Sequence, residues 1–555
     1  MSRIQDCYWA IDQLGGTLRA ETHYDGRRML CFSERPATLQ AMFDDLVRRV
    51  PDRPAVIEDR VLSYRELDRT AAAIAAGLAC AGIRLGDRVA FLLGNTWEFL
   101  AALFACVRLG AIVVPIGTRQ RRLEIEFLLN DCGASALIAD AAYAAAVPAA
   151  DALARPLKMF ATRGELPGAQ SFADLLAEAP DLLPQPPATA EEETAVILYT
   201  SGTTGQPKGA RLTHLGIIHS SLTFARCHGL TEADRGLVAV PLSHVTGLVG
   251  VALSTMVVGG CVVLMAQGYK TRDFLALASR ERITYSILVP TIYTLCATFT
   301  ELISYDLSSW RIGCFGGAPM PVATIVLLAE KLPHLALLNA YGATETTSPA
   351  TVMPRGCWRD HMDSVGQVAP CGEIRVLDEQ GRPVAPGEHG ELYIAGPMVV
   401  PGYWDRPDAN RSEFIDGYWR SGDIGSIDAD GFVRLFDRRK DMINRGGFKI
   451  YSAEVENTLS FYPGILECAI VGQPDPVLGE RVHAFVVPKD GSAIDPAEIR
   501  AFCAERLANY KVPEIITVIA EPLPRNANGK VQKAILRARD ERGEPPSPKG
   551  LPISW

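Results

Sequence analysis

Hydrophobic and polar positions follow two periods that alternate along the first two thirds of the chain. The stretch LSYRELDRTAAAIAAGLACAGI has the 3.6-residue period of an amphipathic helix, DRVAFLLG is a short apolar strand that ends in glycine, and WEFLAALFACVRLGAIVVPI predicts a helix that runs into another strand. A connection rich in proline, alanine and glutamate, LLPQPPATAEEE, precedes a second series of such units that begins at Thr194 and includes SILVP, a helix over 322–331 and LALLNAYG. Repeated β/α units predict an α/β fold in which two mostly parallel sheets are covered by helices.

The pattern changes after about residue 364. GEIRVLDEQGRPVAPGEHGELYIAGP and GYWRSGDIGSIDADGFVRLFDR alternate over short stretches between Asp-Gly and Pro-Gly turns, which predicts antiparallel strands in a small barrel or sandwich. A last block, from about 441 to 535, has strands and helices of its own, and ECAIVGQ and VHAFVVPK are its clearest strands. The tail GEPPSPKGLPISW is rich in proline.

Composition narrows the class of protein. A chain of 555 residues is long enough for two or more domains, and 48% hydrophobic with 21% charged residues is typical of folded globular proteins. The net charge of -9 gives no general attraction to nucleic acid or to anionic membranes. Thirteen cysteines without a CxxC pair indicate reduced, mostly buried thiols and neither a zinc site nor a disulfide framework.

Two features of the chain bear on membranes and on location. The uncharged stretch 246–266 has the length of a membrane span, but its glycines predict a buried helix, a turn and a buried strand instead. The start, MSRIQDCYWAIDQLGG, lacks the features of a secretory signal, so we expect a cytoplasmic location and no membrane span.

The strongest local signal is the string YTSGTTGQPKG, residues 199–209, which follows the apolar strand AVIL. Its glycines and hydroxyls make a loop whose backbone N–H groups can wrap phosphate oxygens, and Lys208 adds a positive charge. The string lacks the GxxxxGK[ST] spacing of a Walker loop, so no P-loop NTPase fold is predicted. A generic run of this composition would more often be a solvated surface loop.

This string closely resembles the phosphate-loop signature of the adenylate-forming superfamily, which includes acyl-CoA synthetases, the adenylation domains of peptide synthetases and firefly luciferase. Six further motifs of that superfamily follow in the same order: PLSHVTG, GGAPM, NAYGATET, YWRSGDIG, DRRKDMINRGGFKI and PRNANGK. The resemblance extends from Tyr199 to Lys530. It implies an N-terminal adenylation domain over 1–437, made of two β/α sheet subdomains and a small β-barrel-like subdomain, a mobile α+β C-terminal domain over 438–535, and a tail over 536–555.

The resemblance also implies the roles of single residues. Thr344 would bind a phosphate oxygen, and Glu345 offers Mg²⁺ the hard carboxylate that it prefers, with Thr200 as a further candidate ligand. Asp423 would accept hydrogen bonds from the ribose hydroxyls of ATP. Lys530 would bridge the acid's carboxylate and the α-phosphate, where it would stabilise developing negative charge. Taken singly, each of these residues would more often be a capping, turn or surface residue.

Other positions match nucleotide and coenzyme contacts of the superfamily. Those implied for ATP are Thr200, Ser201, Gly202, Thr203, Thr204, Gly205, Lys208, Gly317, Ala318, Pro319, Asn339, Ala340, Tyr341, Gly342 and Arg438. Lys440 falls at the hinge about which the C-terminal domain rotates, and Gly447 falls where a glycine lines the pantetheine tunnel. His244 occupies the position of a gate between acid pocket and thiol tunnel.

Three functions are consistent with these motifs. The first is a ligase that activates an apolar acid with ATP and Mg²⁺ and transfers the acyl group to coenzyme A. The acid would be fatty, alicyclic or aromatic, because Val245, Thr246, Leu248 and Val249 are uncharged. Ser348, Pro349 and Ala350 are expected to line the same pocket. PLSHVTGLVG has no acidic residue to hold a substrate ammonium, which disfavours an amino acid. The second function is transfer to an acyl carrier protein, and the third is a non-catalytic acyl-nucleotide-binding homologue.

Overall fold

The computed structural model of the chain describes residues 8–9, 14, 16–24, 26–177, 187–200, 206–489, 492, 494–525 and 531–541. Within these residues, three sheets and a hairpin make up the N-terminal part, and a fourth sheet makes up the C-terminal part. The expected α/β class is confirmed, with helices on the parallel sheets. Most of the Pro-rich tail lies outside the described residues.

The first large sheet has seven strands, parallel except for the edge strand 208–213. In spatial order they are Lys208–Thr213, Thr194–Thr200, Ile112–Pro115, Arg88–Leu92, Ala136–Asp140, Lys158–Thr162 and Gln170–Ser171. Ile112–Pro115 and Ala136–Asp140 are buried throughout, and Arg88–Leu92 is buried after its first residue, which explains why these central strands are continuous apolar runs rather than alternating ones.

The second large sheet has nine strands, with a parallel centre and antiparallel edges. In spatial order they are Gln367–Val368, Thr351–Val352, Ala336–Tyr341, Ile312–Phe315, Tyr285–Leu288, Arg235–Val238, Cys261–Leu264, Pro54–Ile57 and Val61–Ser63.

The division of the chain at LLPQPPATAEEE does not separate the two sheets, and this corrects the expectation from sequence. Pro54–Ile57 precedes the connection yet joins the second sheet beside Cys261–Leu264, whereas Thr194–Thr200 follows it and joins the first. Strand order within a parallel sheet depends on which segments pack together over long separations, so the local pattern does not contain it.

The predicted antiparallel region forms a five-stranded sheet. Its members are Glu373–Leu377, Gly390–Ala395, Tyr418–Ile427, Phe414–Ile415 and Val433–Arg438. Tyr418–Ile427 lies at the centre and pairs with three neighbours.

The C-terminal part is an α+β unit with its own hydrophobic cores. Its strands are Phe448–Ile450, Ile443–Arg445, Gly479–Pro488, Ile465–Asp475 and Ile515–Val518. Its helices are Ser452–Ser460, Pro496–Ala504 and Lys533–Glu541. The two strands predicted from ECAIVGQ and VHAFVVPK pair with each other, and Gly479–Pro488 also pairs with Ile443–Arg445 and Ile515–Val518.

The helices of the N-terminal part begin and end where capping residues predict. Ser63 and Glu66 form a capping box at one start, and Gly110 and Gly229 adopt a left-handed conformation after two helix ends. The helices are Leu39–Arg49, Tyr64–Cys80, Trp97–Leu109, Arg122–Cys132, Phe172–Ala177, His214–His228, Thr271–Arg280, Pro290–Thr298, Val322–Lys331 and Pro407–Glu413.

A hairpin of Leu18–His23 and Arg27–Phe32 precedes these elements. Arg35, whose side chain is 6% exposed, joins Glu21 of the hairpin to Glu191 at 2.7 and 3.0 Å. His23 reaches Glu192 at 2.8 Å. The ion pairs attach the hairpin to the start of the strand that leads into the phosphate-loop motif.

The uncharged stretch 246–266 is a π-helix over Thr246–Leu253, a short helix over Ser254–Met256, a turn and the strand Cys261–Leu264. The predicted helix, turn and strand are therefore present, although the helix begins with π geometry. In the part of the chain that the structure describes, no helix combines the length and the apolar character that a membrane crossing needs. The described cysteines are free thiols, and most are buried.

Candidate active site

Asp423 is the centre of one end of the candidate site. In the five-stranded sheet it lies opposite Arg438, whose Nε is 2.9 Å from Oδ1. The phenol of Tyr341 donates to Oδ2 at 2.5 Å, and the backbone N–H of Asp423 donates to Ser421 Oγ at 3.0 Å. A carboxylate has about four lone-pair positions, so two remain after these two side-chain donors are counted. That is the number that a pair of ribose hydroxyls requires.

The electrostatics of this end keep its donors protonated. Burial and the neighbouring Asp423 carboxylate raise the pKa of Tyr341 well above its usual range. Burial opposes the charge on Arg438, but the carboxylates of Asp423, Glu345 and Asp441 together outweigh it and the pKa of Arg438 is raised. Asp423, which is 6% exposed, therefore lies between a neutral phenol and a guanidinium cation.

Glu345 lies at the other end, in the 3-10 turn Thr344–Thr346 that follows the strand Ala336–Tyr341. Its side chain is buried, and Oε1 accepts a hydrogen bond of 2.9 Å from the phenol of Tyr403. Burial raises the pKa of Glu345, although Tyr403 and the charge of Lys208 act in the opposite direction. A buried, preoriented carboxylate with lone pairs to spare fits the oxygen ligands that Mg²⁺ takes beside nucleotide phosphates.

Lys208 is held in place by the same group of side chains. Its Nζ lies 2.5 Å from Glu413 Oε1 and 4.3 Å from the centre of the Tyr403 ring. The second oxygen of Glu413 is 2.7 Å from the Tyr403 hydroxyl. The lysine of the phosphate-loop motif and Glu345 therefore contact opposite ends of one Tyr403–Glu413 pair.

The elements that bring these residues together are strands of both large sheets. Tyr341 ends the strand Ala336–Tyr341 and Glu345 follows it, GGAPM follows the parallel neighbour Ile312–Phe315, and the phosphate-loop motif begins at the end of Thr194–Thr200 in the other sheet. Carboxyl ends of parallel strands are where open α/β sheets bind ligands.

The loop after Ile312–Phe315 explains why its motif contains glycine. A Cβ on Gly316 would lie 2.4 Å from the carbonyl oxygen of Ala340, so a side chain would collide with the neighbouring strand. Gly317 has a φ of +78°, which favours glycine. Gly317, Ala318 and Pro319 are exposed, as a surface that accepts a flat base must be.

The remaining predicted nucleotide contacts lie nearby with structural partners of their own. The Asn339 amide donates to the Ser364 carbonyl oxygen at 3.0 Å, and Ala340 is buried in the sheet. The Thr200 hydroxyl donates to the Lys208 carbonyl oxygen at 3.4 Å. Gly342 lies in the turn between Tyr341 and Thr344. Ser201, Gly202, Thr203, Thr204, Gly205 and Lys530 lie outside the described residues.

His244 begins the segment assigned to the acid pocket. Its carbonyl oxygen accepts the N–H of Leu248, so it lies directly before the π-helix, and Val245, Leu248 and Val249 are buried. π-helical turns often occur at functional sites. On the other side, Thr347 and Ser348 have φ values of 48° and 39°, a conformation that non-glycine residues rarely adopt.

The segment between the two domains contains the predicted hinge. Lys440 is exposed in the turn after Val433–Arg438, and the Arg439 N–H donates to the Gly422 carbonyl oxygen at 2.9 Å. Gly447, with a φ of +89°, is exposed in the following turn. Arg537 of the last helix pairs with Asp441 at 2.7 Å.

Sequence reasoning did not identify Tyr403 or Glu413 as part of this site. They come from PGYWDRPDANRSEF, a stretch without a spacing that predicts chemistry. An isolated bridge between Ala210 and Tyr403, with the Trp404 N–H donating to the Gly209 carbonyl oxygen at 2.7 Å, places them beside Lys208. This pairing joins segments almost 200 residues apart, so nothing local indicates it.

Comparisons with known proteins identify the family of the chain. Residues 43–404 match the family model described as AMP-binding enzyme, and residues 454–530 match the AMP-binding enzyme C-terminal domain. A feruloyl-CoA synthase from Amycolatopsis sp is 40% identical over 86% of this chain and 94% of its own. An indoleacetate–CoA ligase from Aromatoleum aromaticum is 35% identical over 88% of this chain and 95% of its own.

A solved structure has the same fold with ligands bound. The o-succinylbenzoate CoA synthetase from Bacillus subtilis, in complex with its acyl-adenylate intermediate, superimposes with a TM-score of 0.78 at 30% identity, over 92% of this chain and 98% of its own. The same protein has been solved with ATP and a magnesium ion, and that structure is 31% identical and covers 90% of this chain and 98% of its own, with a TM-score of 0.78.

Proposed function

Because the chain belongs to the AMP-binding enzyme family, we propose that it is an ATP-dependent ligase that joins a carboxylic acid to the thiol of coenzyme A. In the first step the acid's carboxylate attacks the α-phosphorus of ATP, which gives an acyl-adenylate and pyrophosphate. In the second step the thiol attacks the acyl carbon and AMP leaves. The observation that carries the proposal is the placement of Tyr341, Glu345 and Asp423 beside the end of one strand, next to Lys208.

The reaction brings two anions together, and the residues of the site address that repulsion. Glu345 is the residue that would hold Mg²⁺, which neutralises phosphate charge when bound, with Thr200 as a further candidate ligand and Thr344 assigned to a phosphate oxygen. Lys208 supplies a positive charge beside the phosphate-loop motif. We assign to Lys530 the stabilisation of charge that develops during attack.

Asp423 and Arg438 are assigned to the ribose. The carboxylate keeps two lone-pair positions for the ribose hydroxyls while Tyr341 and Arg438 hold its orientation. The exposed loop of Gly317, Ala318 and Pro319, with Tyr341, is assigned to adenine.

Thiol transfer requires access for a second large substrate, and we propose that rotation of the C-terminal domain provides it. We place the boundary between 437 and 438 and the hinge at Lys440, supported by the exposed turn between the last strand of the five-stranded sheet and Ile443–Arg445. Gly447 would then line the pantetheine path. His244 would control access between that path and the acid pocket.

For the acid we propose an apolar body, and an aromatic ring in preference to a long chain. Val245, Leu248 and Val249 are buried and uncharged around the predicted pocket. Two of the relatives named above are a feruloyl-CoA synthase and an indoleacetate–CoA ligase, and the acids in both names contain an aromatic ring.

The test is ATP–pyrophosphate exchange with aromatic and aliphatic acids of graded size, followed by CoA-dependent release of AMP. Exchange with an aromatic acid and rapid turnover with free CoA support the proposal. Exchange with poor CoA turnover but efficient loading of an acyl carrier protein would replace it with carrier-protein transfer. No exchange with any acid would leave a non-catalytic homologue.

Lys530→Ala separates the two steps. We expect loss of most adenylation, while CoA-dependent transfer from supplied acyl-adenylate is spared. Equal loss of both half-reactions would contradict the role assigned to Lys530.

A further inference from the structure

One phenol lies between two carboxylates in the candidate site. The Tyr403 hydroxyl is 2.9 Å from Glu345 Oε1 and 2.7 Å from Glu413 Oε2, and the residue is only 2% exposed. The other oxygen of Glu413 contacts Lys208 Nζ at 2.5 Å. The phenol has one proton, so it donates to one of the two carboxylates at a time, and four side chains from three distant segments form one connected group.

Backbone contacts fix the phenol independently of any ligand. The Arg211 N–H donates to the Gly402 carbonyl oxygen at 3.2 Å and the Trp404 N–H donates to the Gly209 carbonyl oxygen at 2.7 Å, so residues 402–404 run beside the strand Lys208–Thr213. The Tyr403 N–H donates to Asn410 Oδ1 at 2.6 Å, and its ring packs edge-on against Phe414. The hydroxyl is thus presented at a fixed point between the two glutamates.

The two ends of this unit act on the same substrate. Lys208 belongs to the phosphate-loop motif, and Glu345 is the carboxylate assigned to the magnesium ion that accompanies the phosphates. The Glu345 side chain on its 3-10 turn can rotate, and a hydrogen bond from the fixed Tyr403 hydroxyl restricts that rotation. Restricting it matters because small errors in the placement of charged groups reduce reaction rates strongly.

We propose that Tyr403 is a positioning residue that orients Glu345 for the magnesium–ATP complex and, through Glu413, sets its distance from Lys208. The inference rests on the proposed function of the site. Tyr403 touches neither ATP nor the acid in this assignment and acts through its two glutamates.

Tyr403→Phe tests the proposal, because it removes the hydroxyl and keeps the ring that packs on Lys208 and Phe414. The first readout needs no turnover: the thermal shift of the protein with ATP is measured over a series of magnesium concentrations. A hydrogen bond to a charged group is worth about 1.5–3 kcal/mol, so we expect half-saturating magnesium to rise about 10- to 100-fold.

The second readout divides the two half-reactions. In Tyr403→Phe we expect the same magnesium dependence in ATP–pyrophosphate exchange, with CoA-dependent transfer from supplied acyl-adenylate unchanged. A merely structural role would lower the melting temperature of the ligand-free protein and slow both half-reactions together. An unchanged magnesium dependence, or equal loss of both half-reactions, would overturn the proposal.

Tyr64→Phe is the matched control, since Tyr64 is a fully buried phenol that donates to the Gly260 carbonyl oxygen at 2.7 Å, outside the site. It should lower stability without altering magnesium dependence. If Tyr403→Phe does not fold, Glu413→Gln provides the second route and should also raise half-saturating magnesium. An unchanged value there overturns the proposal.

A double-mutant cycle of Tyr403→Phe and Lys208→Met measures the energetic coupling between Tyr403 and Lys208. If Tyr403 joins Lys208 to Glu345, the two substitutions are coupled and the double variant loses less than the product of the single losses. Independent effects would overturn the inference. A wild-type protein without acid-dependent exchange would instead refute the proposed function, so the two failures are distinguishable.

Discussion

Asp423→Asn tests the ribose end of the site, and its effect follows from counting lone pairs. The carboxylate accepts from Tyr341 at 2.5 Å and from Arg438 at 2.9 Å and has two positions left for ligand hydroxyls. An amide oxygen has only two lone pairs and no charge, so it serves the protein donors or the ribose but not both. Each lost bond to a charged acceptor costs about 1.5–3 kcal/mol, so we expect the KM for ATP to rise about 100-fold or more.

The substitution also leaves a guanidinium without its partner. Breaking a buried ion pair costs about 3–5 kcal/mol of unfolding free energy. Because the Arg438 side chain is 34% exposed, we expect Asp423→Asn to lower the unfolding free energy by about 3 kcal/mol or less. Thermal unfolding measures this loss, and ATP–pyrophosphate exchange at varied ATP measures the KM.

The matched control for Asp423→Asn is Asp428→Asn in the same sheet. Asp428 pairs with Arg434 at 2.8 Å and accepts the Phe432 N–H at 2.9 Å, away from the candidate site. Asp428→Asn should lower stability and leave the KM for ATP unchanged. A folded Asp423→Asn protein with a KM for ATP within about twofold of the wild type would refute the assignment, since a lost charged hydrogen bond costs more than that.

Three further outcomes are expected. Acid should destabilise the protein below pH 6.5, because burial lowers the pKa values of three histidines, to about 4 for His214 and about 3 for His219 and His228. The unfolded chain then binds protons that the native state does not, so each of the three histidines lowers the unfolding free energy by up to about 2 kcal/mol at pH 5. His219→Gln should flatten the fall of unfolding free energy with pH in urea titrations, and an unchanged slope would contradict this cause. Lys440→Pro should slow CoA-dependent transfer and retain pyrophosphate exchange, and normal turnover would remove the hinge argument. Arg35→Met should cost about 3–5 kcal/mol in thermal unfolding, because Glu21 and Glu191 lose their buried partner, whereas Arg48→Met, 72% exposed, should cost about 0–1 kcal/mol.

The local pattern of hydrophobic and polar residues was sufficient to predict whether most elements are helices or strands. The predicted helix over 322–331 is observed at Val322–Lys331, and the antiparallel strands predicted after residue 364 are observed in the five-stranded sheet between Glu373 and Arg438. Periodicity succeeds there because a helix or an antiparallel strand shows its buried face in its own residues. Glu345 and Asp423 were predicted as site residues because each lies in a motif with a recognisable resemblance, and the structure holds them through Tyr403 and Tyr341.

The tertiary structure decided which segments meet. Pro54–Ile57 joins a sheet whose other central strands follow residue 234, and Tyr403 reaches Glu345 and Lys208 from a stretch without a chemical signature. Strand pairing and side-chain encounters across such separations depend on the packing of the whole domain, whose information is spread over many residues. The sequence by itself determined the type of most elements and the family that its motifs resemble. Packing alone decided which sheet each strand joins. It also placed the Tyr403 phenol between Glu345 and the Glu413 carboxylate that contacts Lys208.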